Sequence, residues 1–66
     1  MTLYIGDLCY RVSNNYGYTL PPELSIIIEV YPPDVIRECY EIYIISTGET
    51  EYVTREQIET INITTL

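Results

Sequence analysis

β-branched residues and tyrosines return at every second position through three runs of this chain, and clusters of proline, glycine or asparagine interrupt each run. A period of two gives a strand one apolar face, whereas a helix needs a period near 3.6. Ile, Val, Thr and Tyr make up 31 of the 66 residues, Leu numbers five and Ala is absent. That composition favours strands over helices. A chain of this length forms one domain with a modest core, read here as residues 1–66.

The first run, Leu8-Cys9-Tyr10-Arg11-Val12, follows a Gly6-Asp7 turn and is expected to turn Leu8, Tyr10 and Val12 inward. Asn14, Asn15, Gly17, Pro21 and Pro22 then predict one long loop from Ser13 to Glu23, carrying Tyr16 and Tyr18. The second run, Leu24 to Tyr31, is nearly all apolar and reads as a central strand. It has Leu24, Ile26, Ile28 and Val30 in one phase and Ile27 and Tyr31, outward, in the other. Pro32-Pro33-Asp34 ends it with a turn.

The third run, Arg37 to Ile45, places Tyr40, Ile42 and Ile44 inward and Cys39, Glu41, Tyr43 and Ile45 outward. Ser46-Thr47-Gly48-Glu49 predicts a tight hairpin to Thr50-Glu51-Tyr52-Val53, with positive φ at Gly48. Thr54 and Gln57 have capping-box spacing and predict a single helical or 3₁₀ turn over residues 55–58. Glu59 to Ile63 reads as a last short strand with Ile61 and Ile63 in phase.

The missing residue types exclude whole chemistries. There is no histidine, so no Ser-His-Asp or Cys-His nucleophile and no mixed Cys/His zinc site can be built. Glu49 and Glu51 share a strand face, but a hairpin tip is solvated and leaves paired carboxylates without the apolar pocket that acid-base work needs. Asp34, Glu38 and Glu41 lack the loop spacing of a calcium site. The sequence therefore predicts no catalytic residue, no metal and no cofactor.

Ten acids against three arginines and no lysine give a net charge of −7, which disfavours nucleic-acid backbones and favours basic protein partners or solubility. No stretch approaches the roughly 20 apolar residues of a membrane span, and residues 1–7 carry no secretory pattern. The chain is expected to be non-secreted, with Cys9 and Cys39 as thiols used as small strand residues.

Strand, long loop, strand, turn, strand, tight hairpin, strand, helical turn and short strand is the element order of the Src-homology-3 fold. Over residues 5–63 the chain resembles that family, and the resemblance implies a five-stranded SH3-like barrel. It is most specific over residues 46–58, where Tyr52, Val53 and Ile58 fall on apolar positions of the family's Gly-Tyr-Ile-Pro-Ser-Asn-Tyr-Val run. The ligand-binding residues differ: Thr54 stands for the family's proline, Glu56 for its asparagine, Gln57 for its tyrosine, and no tryptophan is present. Polyproline recognition, which needs an aromatic-lined groove, is therefore not implied.

The Ile5-Gly6-Asp7-Leu8 start and the Tyr-Val-x-Arg-Glu-x-Ile ending also resemble very small SH3-like proteins of tailed phages, cyanophages among them. That resemblance implies a virion-associated accessory protein, or an acidic modulator bound to a basic host protein, in the extreme as a mimic of DNA charge. It implies a place in the host cytoplasm or the virion.

Eight tyrosines exceed what one small core requires, and tyrosine is suited to interfaces because one end is apolar and the other polar. By phase, Tyr10, Tyr40 and Tyr52 belong to the core or its edge. The expected protein-contact surface comprises Tyr16 and Tyr18 on the long loop and Ile27, Tyr31, Tyr43 and Ile45 on outward strand faces. Glu29, Glu41 and Glu51 form its acidic rim. Its occupant is another protein or a second copy of the chain.

Overall fold

The computed structural model describes residues 3–13, 18–31 and 38–61. Five antiparallel strands form one sheet: β1 (Leu8–Ser13), β2 (Thr19–Tyr31), β3 (Cys39–Ile44), β4 (Glu49–Thr54) and β5 (Ile58–Thr60). A 3₁₀ turn, Arg55–Gln57, separates the last two, as the capping-box spacing predicts. The Thr54 backbone N–H donates to Gln57 Oε1 at 2.7 Å, so the turn starts where Gln57 can satisfy an otherwise orphaned donor.

The strand order is β4-β3-β2-β1-β5. β2 joins two sub-sheets, its first half pairing with β1 and its second half with β3. Among the described residues no ladder joins β4 to β5, so the sheet is open where the expected barrel would close. The 3₁₀ turn lies against β1, β4 and β5 at that opening.

β3 and the turn that follows it keep to their sequence pattern. Tyr40, Ile42 and Ile44 are buried, and Gly48 takes φ +74° and donates its N–H to the Ile44 carbonyl at 2.8 Å. Leu3, Cys9, Ile27, Val53 and Ile58 complete the core, with Val30 packed against it. Full burial of such a side chain contributes about 1.5–3 kcal/mol.

β1 has the opposite phase to the expected one. Cys9 and Arg11 are buried, whereas Leu8 and Tyr10 are exposed and Val12 is half-buried. Cys9 faces Ser25 across the β1–β2 ladder, and both are fully buried. In β2 a bulge between Ile27 and Glu29 shifts the register, so Ile27 and Val30 both point inward. Ile27, expected on the outside, is thus 0% exposed.

The loop expected from Ser13 to Glu23 is shorter, because β2 already begins at Thr19. Pro21 and Pro22 are exposed within the strand. They sit beside the register shift of the β1–β2 ladder, on a stretch of β2 that precedes its pairing with β3 at Ser25. Missing N–H donors are tolerated at such irregular, edge-like positions. Tyr52, placed at the core edge by its phase, is exposed, and β5 is shorter than expected. The Pro32-Pro33-Asp34 turn and Ile63 lie outside the described residues.

Candidate functional site

Two features stand out above the core: an ion-paired arginine on the inner face and an apolar band on the outer face. Arg11 is 9% exposed and lies opposite Glu23 in the β1–β2 ladder. Its Nη2 donates to Glu23 Oε2 at 2.9 Å and its Nη1 to Glu51 Oε1 at 3.0 Å. Glu51 belongs to β4, three strand spacings from β1 in the sheet order, roughly 14 Å if the sheet were flat. The contact requires the sheet to curl until the inner faces of β1 and β4 turn toward each other. Glu51, expected on an outer acidic rim, is therefore part of an internal clasp.

On the outer face, ladder register brings apolar side chains into rows. Leu8, Ile26 and Tyr43 are successive partners across β1, β2 and β3. Tyr10 pairs with Leu24, whose carbonyl accepts the Ile45 N–H at 3.1 Å, bringing Ile45 to the end of the next row. Leu8, Tyr10, Leu24, Tyr43 and Ile45 are each more than a third exposed, Ile45 reaching 49%. The sequence located Tyr43 and Ile45 on this face but assigned Leu8 and Tyr10 to the interior.

At one end of the band the Tyr31 and Tyr52 rings lie 6.0 Å apart at 41°, bridging across β3. Tyr31 Oη donates to Glu41 Oε1 at 3.3 Å, and Glu41 faces Glu29 across the β2–β3 ladder. Desolvation, with hydrogen bonding to Tyr52 and the nearby Glu41 charge, pushes the Tyr31 hydroxyl up to about 12. Tyr18 is exposed ahead of β2, and Tyr16 lies outside the described residues. Of the expected contact residues, the structure gathers Tyr31, Tyr43, Ile45, Glu29 and Glu41 on one face and removes Ile27 to the core.

Two inner-face groups have shifted acidities. Burial pushes the Cys9 thiol up to about 11, with Arg55 opposing. Burial and a hydrogen bond to Glu38 push the Tyr40 hydroxyl up to about 12. Cys9 is fully buried among the core side chains, and that burial keeps its thiol protonated. Cys9 and Cys39 are thiols, and among the described residues no group of three His, Cys, Asp or Glu side chains is arranged to hold a metal ion. No helix among them is long and apolar enough to cross a membrane. No protein-family model, curated protein or solved structure matches the chain.

Proposed function

We propose that this chain is a non-enzymatic protein-contact module with an SH3-like barrel plan, and that it docks on a larger protein through the outer face of its sheet. The observation that carries the reading is the in-register band on the three central strands, where exposed Leu8 and Tyr43 flank half-buried Ile26 beside exposed Tyr10 and Leu24. An apolar surface contiguous across neighbouring strands favours covering by a partner in a way that scattered apolar residues do not. The barrel plan draws support from the strand order, the long β2 shared by two ladders, the 3₁₀ turn between β4 and β5, and the curl that the Arg11 clasp demands. Resemblance to small SH3-like phage proteins makes the role that of a virion-associated accessory component.

Capture with tagged wild type and with a Tyr43→Ser/Ile45→Ser variant tests the reading. The variant, shown by circular dichroism to keep the wild-type fold, is expected to lose a partner that wild type retains through high-salt washing. Recovery of the same partners by both proteins would sink it.

A further inference from the structure

The proposed contact face has a charge pattern that selects its occupant. Its charged residues among those described are Glu29 and Glu41, paired across β2 and β3, and Glu59, paired with Tyr10 across β1 and β5. No arginine stands among them. Arg11 is buried on the opposite face between Glu23 and Glu51, and Arg55 lies on the 3₁₀ turn, where its Nη1 donates to the Ile58 carbonyl. Carboxylates directly opposite on one face repel each other, and a cation supplied by a partner relieves that repulsion.

We infer that the outer face takes a protein partner whose contact surface is apolar with a basic rim, and that a second copy of this chain is not its occupant. Two copies stacked on this face would bring carboxylates against carboxylates around an apolar centre, at a net charge of −7 each. A basic rim meets the opposite situation. Glu41 lies two residues along β3 from Tyr43, and Glu29 three along β2 from Ile26 with the bulge between them, so a cation about 7 Å from the Tyr43 anchor meets both contacts at once. Exposed Tyr31 and Tyr52 flank that position and offer aromatic faces on which a guanidinium stacks.

This inference rests on the contact-surface reading, and the probes are chosen to separate the two. Three short amphipathic peptides are titrated into isotopically labelled full-length protein: leucine with arginine, leucine with glutamate, and serine with arginine at the same positions. The leucine–arginine peptide is expected to give saturable shifts confined to outer-face residues of β1, β2 and β3. Its affinity should fall about tenfold in a Glu29→Gln/Glu41→Gln variant and also in Tyr43→Ser. Sedimentation should show wild type alone to be a monomer at the same concentrations.

Equal binding by the serine–arginine peptide would reduce the effect to bulk charge and overturn the inference. So would no saturable binding by the leucine–arginine peptide, or a wild-type dimer abolished by Tyr43→Ser. Equal binding of the leucine–glutamate peptide to the same residues would leave the contact surface standing and retire only the basic partner. The contact surface itself falls by the separate capture result, if the Tyr43→Ser/Ile45→Ser variant keeps every partner.

Discussion

On the inner face of the sheet, Tyr40, Ile42, Ile44, Ile27, Val53 and Ile58 pack on one another beneath a curl tied by Arg11. On the outer face, Leu8, Tyr10, Leu24, Tyr43 and Ile45 stand on or beside the same strands, in places one residue away, and remain more than a third exposed. The apolar character is similar, and the difference lies in closure. A curled sheet shields its concave side with its own residues, and its convex side is left for solvent or a partner. What folds the chain and what the chain presents are thus separated by the pleat.

The largest test of that separation compares neighbours in β3. Ile42 is fully buried on the inner face, and Tyr43 is 38% exposed on the outer one. Ile42→Ala should cost about 2–5 kcal/mol, since it removes core contacts and leaves a cavity. Tyr43→Ser should stay within about 1 kcal/mol, losing only partial burial and some strand preference. Urea denaturation of both variants measures the contrast. Equal losses would mean that the outer band holds the fold together rather than serving contact.

The arginine clasp comes next. Arg11→Met fills a similar volume but leaves Glu23 and Glu51 without their cation, their side chains 30% and 32% exposed. Partial solvation reduces the penalty for unpaired charges, so the expected loss is on the order of 1–3 kcal/mol. Arg11 Nε is itself buried without a hydrogen-bond partner, so the clasp is not optimal even in the native chain. Arg11→Met/Glu23→Leu/Glu51→Leu should therefore recover most of the loss. A single variant as stable as wild type would show that packing alone holds the curl.

The two faces were unequally legible in the sequence. β3 is strictly alternating and Gly48 marks the turn after it, so the phase of β3 could be read directly, whereas in β4 Glu51 and Tyr52 lie on the faces opposite to those expected. The phase of β1 could not, because Leu8, Tyr10 and Val12 form the more apolar set and the inner face instead holds Cys9 and Arg11. That choice depends on the carboxylates of Glu23 in β2 and Glu51 in β4, which one strand's pattern does not contain. Arg11 inside a run of apolar residues was the available signal. Ile27 was misplaced for a related reason: the bulge before Glu29 reverses the register within three consecutive isoleucines, and no residue there marks it. Pro21 and Pro22 read as loop because their tolerance depends on which neighbours β2 lacks.

An alkaline titration gives the finest comparison of the faces. Buried Cys9 holds its proton to about 11, against 9.0 for an unperturbed thiol, and Tyr40 holds its proton to about 12, against 10.0. As pH rises past 9 the unfolded chain releases the thiol proton while the folded chain retains it. The folded state then binds more protons, and stability falls with pH. The tyrosines, with an unfolded value of 10.0, add a smaller share over the same interval that grows above 10, including Tyr31 on the outer corner, also raised to about 12. Cys9 therefore gives the largest single share of the slope between 9 and 10, and the difference between wild type and Cys9→Ala isolates it. Urea midpoints should decline through that window in wild type and less steeply in Cys9→Ala, whose own loss of packing shifts the whole curve without tilting it. The same slope in both proteins would show that closure of the inner face does not govern the thiol.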